Sequence, residues 1–212
     1  MSDKASSAGN QQGRASFARK GKLPSETTRQ APFSEKEIKS YLLGALHDAT
    51  FSSNRRFRFS QKGTEWLEFL QMLFEKIGYK SWIYKEGKTR SVYVLETLAK
   101  FLDFKFNPLK LKSKQEKIGY IRGFFDAEGG IPKNGKRFYI QLVQSNKKKL
   151  QQIKKVLEDL EIKTGKIHNP SHRVDPEYWR MFVPVNSQKK FAKVINSWHP
   201  KKIKIFRERM MI

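Results

Sequence analysis

Gly119, Gly123 and Ala127 recur at every fourth residue within KQEKIGYIRGFFDAEGG, residues 114–130, and this spacing constrains the fold more than any other feature of the chain. Residues four apart share one side of an α-helix, so the three small residues form a ridge along which a second helix can approach unusually closely. The upstream stretch SEKEIKSYLLGALHDATF, residues 34–51, offers two matching rows: Ser40, Gly44 and Asp48, or Tyr41, Ala45 and Ala49. The expected helix interface therefore holds Gly44, Ala45, Gly119, Gly123 and Ala127. The downstream helix also ends in two carboxylates, Asp126 and Glu128. A helix C-terminus already carries partial negative charge, so a positive partner is expected there. Mg2+ suits the place, because it takes oxygen ligands and needs few protein carboxylates.

The segments downstream of these two helices repeat one another. Ser34 and Glu37 form a capping box that opens the first helix, which is expected to run to His47 or Ala49. RRFRFSQK then alternates Arg56, Arg58 and Ser60 with Phe57 and Phe59, the pattern of a strand with one buried and one basic face. TEWLEFLQMLFEKIG places Trp66, Leu67, Leu70, Leu73, Phe74 and Ile77 at helical spacing before Gly78. YKSWIYKEGKTRSVYVLE reads as a hairpin around Glu86 and Gly87, followed by a short helix toward Phe104. In the second half KRFYIQLVQS is a strand and NKKKLQQIKKVLEDLEI a helix. Strands come next around TGKIHN and EYWRMFVPV, then a final helix SQKKFAKVINSW. At a distance of roughly 80 residues this is a duplicated unit and not a solenoid of short repeats. The expected fold is α+β, two pseudo-symmetric αββαββα units spanning residues 33–110 and 111–212, the second ending in a basic tail. Residues 1–32, rich in Ser, Gly, Gln, Lys and Arg, read as a disordered basic arm. An organelle transit peptide is the competing reading, opposed by Asp3 and Glu26.

Forty-four Lys and Arg against twenty Asp and Glu give a formal charge of +24. Such an excess attracts a polyanion, of which nucleic acid is the commonest. A membrane is the rival, but no apolar run approaches the roughly 20 residues a spanning helix needs. The chain has no cysteine, so it uses neither disulfides nor thiolate metal sites, which fits an intracellular setting, cytoplasmic or nucleoid.

IRGFFDAEG, residues 121–129, resembles the LAGLIDADG motif of homing endonucleases, and LGALHDATF, residues 43–51, is similar to a weaker second copy. The resemblance covers about residues 33–205. It implies a monomer with internal pseudo-twofold symmetry, whose motif helices join two saddle-shaped antiparallel sheets over double-stranded DNA. It also implies that one acid from each motif holds Mg2+ or another divalent cation for phosphodiester hydrolysis. Glu128 fills that place in the second motif. In the first, aligning Gly44 with Gly123 puts Ala49 there, and aligning Asp48 with Asp126 puts Thr50. Asp48 is the nearest acid, but one residue of helix is a rotation of about 100°, so Asp48 faces elsewhere unless the helix end unwinds. The expected catalytic set is Glu128, Asp48, Lys133 and Gln61, with Glu128 and Asp48 as metal ligands. Ser145 is the polar counterpart of Gln61, and His47 is either a ligand or an interface residue.

Expected DNA contacts are Arg56, Arg58 and Ser60 on the first sheet and Arg137, Tyr139 and Gln141 on the second. Phe57, Phe59, Phe138, Ile140 and Leu142 face the helices. Lys80, Lys85, Lys88, Arg90, Lys166, His168, His172 and Arg180 are further contacts, mainly to phosphates. With one motif acid missing, an intron-encoded nuclease that nicks or cuts slowly, a maturase acting on intron RNA, and a non-catalytic DNA-binding protein all stand as readings. All three predict that affinity falls steeply with salt, with a log–log slope of several units. A flat dependence in a binding titration would contradict the saddle surface.

Overall fold

The computed structural model describes residues 33–87, 89–132 and 138–210. Lys88, Lys133, Arg137 and residues 1–32 lie outside the described residues. Helix α1 (Glu35–Ala45) begins where the Glu37 amide donates to the Ser34 hydroxyl at 3.2 Å. Helix α3 (Lys114–Glu128) opens with a full capping box between Ser113 and Glu116. These two helices cross with their backbones in contact. A Cβ placed on Gly44 would lie 2.1 Å from the Tyr120 carbonyl oxygen, and one on Gly123 would lie 2.0 Å from that of Tyr41. Gly119 is nearly as tight, 2.8 Å from the Glu37 carbonyl. The exchange is reciprocal, so it makes Gly44 the mate of Gly123 and Tyr41 the mate of Tyr120. The Gly119–Gly123 ridge itself packs on the Tyr41–Ala45 row, Gly44 packs in turn on Tyr120 and Phe124, and Ala127 rests on the first core.

Each half adds a sheet and a helix to its share of this crossing. The first has β1 (Ala49–Phe51), β2 (Phe57–Lys62), α2 (Glu65–Lys76), β3 (Ser81–Lys85) and β4 (Val92–Thr97), with an antiparallel strand order β1-β2-β4-β3. The second has β5 (Gly129–Gly130), β6 (Ile140–Gln144), α4 (Lys147–Asp159), β7 (Trp179–Val183) and α5 (Val185–Val194), with order β5-β6-β7. Period-two alternation holds: Phe59, Ile140 and Leu142 are fully buried, and Phe57 and Phe138 pack on their cores. One core gathers Ile38, Leu42, Leu67, Leu70, Phe74 and Leu95, and the other Ile121, Phe125, Leu142, Ile153, Leu157 and Phe191.

Three local expectations are corrected. The short helix toward Phe104 is a run of turns followed by a single 3-10 turn at Pro108–Lys110. There the Asp103 and Asn107 side chains accept from the Lys105 and Leu109 amides, offering the backbone a local alternative to a helix. The strand around TGKIHN reduces to one bridge between His168 and Arg180, cut short where Pro170 lacks a donor. The basic tail contains a further helix, α6 (Pro200–Met210), whose buried Phe206 stacks on Phe125 at 5.5 Å.

The link from α5 to α6 also ties the halves together. Trp198 packs on Tyr41 and Phe33 of the first half, with ring centroids at 4.6 and 4.3 Å, and carries the Arg122 guanidinium on its face at 4.4 Å. Asp126 receives the Tyr41 hydroxyl at 2.7 Å, the Ser197 hydroxyl at 2.5 Å, and the Trp198 and His199 amides at 2.9 and 3.1 Å. It is a buried latch between the halves.

Gly123→Val should lower the Tm by about 10 °C, the effect of ~3 kcal/mol in a chain of this size. Gly130→Ala, whose added Cβ would come no closer than 3.8 Å to its neighbours, should shift it by less than about 2 °C. Thermal melts followed by circular dichroism test the contrast, and equal shifts would contradict backbone contact at the crossing.

Candidate functional site

The reciprocal crossing aims the C-terminal ends of α1 and α3 into one place, but the two ends are built differently. After Ala45, the mate of Phe124, the first half makes a 3-10 turn of three residues, Leu46–Asp48, closed by the Ala49 amide on the Leu46 carbonyl. The second half stays α-helical through Phe125, Asp126, Ala127 and Glu128. Three 3-10 residues and four α-helical residues both advance about 6 Å. Asp48 therefore reaches the same level as Glu128, and each is the last helical residue before a strand. The shortened junction supplies what neither alignment of the motifs did, a carboxylate in the first half.

Glu128 feels the charge of Asp48. Burial lifts Glu128 to about 7, with the charge of Asp48 adding to the rise and Lys202 opposing it. Asp48 keeps a face open to solvent, yet the protein packed around its carboxyl raises it to about 6, against the Gln61 amide and the Lys202 charge. Gln61 donates to Asp48 at 2.7 Å and so fixes its orientation.

Lys202, on α6, stands at the centre of this group. Its ammonium donates to the carbonyls of Phe125, Asp126 and Gly129 at 2.5, 2.9 and 2.6 Å, around the C-terminal end of α3. Burial lowers it to about 8, while the charges of Asp126, Asp48 and Glu128 pull the other way. The positive partner expected of a metal is thus in part built into the chain. Its sequence context, HPKKIKIF, gives no signal that separates it from neighbouring tail lysines.

His47 belongs to the interface. It shares a hydrogen bond of 2.8 Å with the Tyr120 hydroxyl and one of 3.0 Å with Gln144, and burial, aided by Lys149, keeps it neutral with its pKa lowered to about 3. The Tyr120–His47 and Tyr41–Asp126 pairs are pseudo-symmetric mates. Gln144 is likewise the mate of Gln61, each two residues past the strand residue that pairs with the start of β1 or β5. Ser145 instead donates to the Gln144 side chain at 3.0 Å. Sequence reasoning missed Gln144, although comparison of FSQKG with VQSNK held the signal.

The expected nucleic-acid contacts fall on the outer faces of the sheets and their turns. Arg56 and Arg58 converge on Glu96, and Ser60, Lys80, Lys85, Arg90, Lys166 and His172 are exposed. Tyr139 is also exposed, Gln141 donates to the Tyr178 hydroxyl at 3.2 Å, and Arg180 donates to His168 at 3.2 Å.

Residues 115–196 match the model of the LAGLIDADG-like domain family. Among solved structures, the chain is similar to I-DmoI in complex with DNA and Mn, with 23% identity and a TM-score of 0.58 over 77% of this chain and 98% of that one. I-DmoI in complex with DNA and Ca gives 22% and 0.60 over 82% and 99%. The N-terminal LAGLIDADG domain of DUF199/WhiA gives 18% and 0.60 over 78% and 86%. At these identities the likeness is one of fold. No curated protein sequence matches the chain.

A carboxyl whose pKa is raised on folding favours the fold most while protonated. Glu128 therefore contributes stability below its ordinary value of 4.5 that is lost as pH rises through about 7. Glu128→Gln should raise the Tm near pH 8 by about 3 °C, as ~1 kcal/mol would, and leave it unchanged near pH 4. Melting curves across this range check the sign; an equal gain at both ends would contradict it.

Proposed function

We propose that this chain, whose second half matches a LAGLIDADG-like domain and whose fold is similar to that of I-DmoI, is a divalent-metal-dependent endonuclease that acts as a monomer on extended sites in double-stranded DNA. The observation that carries the reading is the convergence of Asp48 and Glu128 at the two motif-helix ends, close enough for the charge of one to raise the pKa of the other. Such a pair fits an oxygen-preferring cation such as Mg2+, which uses one or two protein carboxylates and completes its shell from water and phosphate. When bound, the cation would activate water and draw charge from the scissile phosphate.

The chain's own residues supply the rest. Gln61 holds the Asp48 carboxylate in one orientation, and the Tyr41–Asp126 and Tyr120–His47 pairs keep the two helix ends together. Lys202 fixes the end of α3 through its three carbonyl contacts and places positive charge beside both acids. Because Asp48 and Glu128 titrate near 6 and 7, they would bind a cation better as pH rises through that interval. Cleavage should rise with them.

Lys202 also supports a second reading. It already gives the acids a positive neighbour, as in a protein that binds nucleic acid and does not cut it.

Incubation with Mg2+ and the intron-lacking allele of the chain's own locus separates these readings. The nuclease reading expects a double-strand break or nick, reduced about a hundredfold or more by Glu128→Gln or Asp48→Asn, while gel-shift affinity is retained. Binding without cleavage by the wild type would sink it in favour of the DNA-binding reading. Tight binding of the intron RNA in place of the duplex would point to a maturase.

A further inference from the structure

The outer faces of the two sheets carry different chemistry. On the first sheet the register sets Glu96 between Arg58 on β2 and Trp82 on β3. Glu96 is only 6% exposed, yet it accepts from Arg56 at 2.9 Å and from the Tyr84 hydroxyl at 2.8 Å, and it pairs with the Arg58 Nε at 3.2 Å. Arg58 also reaches Glu86 at 2.9 Å, and the Arg56 guanidinium lies over Trp82 at 4.9 Å. Burial would raise Glu96, but hydrogen bonds from Arg56 and Tyr84 and the charges of both arginines hold it below its ordinary value. It is a fixed anion beside two guanidinium groups. Arginines held from two sides lose little freedom on binding, and their planar fork matches the O6 and N7 acceptors of guanine.

The second sheet presents an amide among aromatic rings. The register sets Gln141 beside Phe182. The Phe182 ring meets Tyr139 edge-on at 5.9 Å and stacks with His168 at 6.0 Å. Arg180 stands here too, over Phe182 at 5.2 Å, with its Nε given to His168. Tyr139, Gln141, Arg180 and Phe182 line an open groove of about 510 Å³. In the major groove a Gln amide pairs with adenine N6 and N7, and an apolar ring meets the thymine methyl.

We propose that the chain recognises a compositionally asymmetric duplex, rich in G·C pairs beneath the first sheet, through Arg56 and Arg58 positioned by Glu96, and rich in A·T pairs beneath the second, through Gln141, Tyr139 and Phe182. This rests on the DNA-binding part of the proposed function, and on no part of the cleavage chemistry. Glu96 acts through the arginines as a positioning residue.

The test is selection from a random-sequence duplex library by the full chain, without divalent metal, then the same selection with single variants. The expected product is a motif with G·C pairs at one end and A·T pairs at the other. Arg58→Ala should cut the guanine preference about 5- to 150-fold at the first end alone, the fold-change equivalent of one good bidentate contact. Gln141→Ala should relax the other end alone. Glu96→Gln should strengthen binding to random duplex, steepen its salt dependence and weaken the guanine preference, whereas a merely structural role would weaken all binding together. An evenly composed motif, variants that relax both ends, or retention of duplex without enrichment would overturn the inference while leaving DNA binding intact. Failure to retain any duplex would overturn the DNA-binding reading, and the inference with it.

Discussion

Where Gly44 crosses Tyr120 and Gly123 crosses Tyr41, the backbones of α1 and α3 touch with no side chain between them, and the remaining geometry depends on that contact. Reciprocal packing of this kind relates the halves by a pseudo-twofold axis. It brings Tyr41 to Asp126 and Tyr120 to His47, and aims both helix ends at one place. A methyl group at either glycine would force the helices apart, because the obstacle is main chain, which has no alternative rotamer. The wider sheets hang from this joint, so its closeness also fixes the spacing of their outer faces.

Convergence of the helix ends creates an electrostatic problem that the chain answers in part from within. Two carboxylates and the last carbonyls of α3 share the region, and all carry negative or partial negative charge. Lys202 answers from within, at the expense of its own ammonium, which burial lowers to about 8. A divalent cation would answer from outside. Burial still raises both Asp48 and Glu128, and the charge of Asp48 adds to the rise at Glu128, so Lys202 offsets only part of the cost of placing these carboxylates here.

Much of this is legible in the residues. The four-residue spacing of Gly119, Gly123 and Ala127 marks the joint, and alternation in RRFRFSQK and KRFYIQLVQS separates the buried from the outer faces. The features that escape a reading of the residues depend on local geometry or distant contacts. Asp48 looks misplaced as long as a regular helix is assumed, whereas a tighter turn makes up for the missing residue. Asp126 and His47 have no assignable roles until each is seen to face a tyrosine of the other helix. Lys202 is invisible because a lysine in a basic tail has no pattern, and its role comes from the Phe206–Phe125 stack that docks α6. Glu96 escapes for a similar reason: as one acid in a strand, it acquires meaning only with Arg56, Arg58 and Tyr84 around it.

Asp48 and Glu128, from different halves and unequal turns, meet at one centre, where the charge of the first raises the second. NMR titration of the side-chain carboxyl carbons of the full chain, in the wild type and in Asp48→Asn, tests this. Glu128 should titrate near 7 in the wild type and at a lower pH once the Asp48 charge is removed. A Glu128 midpoint at the ordinary 4.5, unmoved by the substitution, would contradict it.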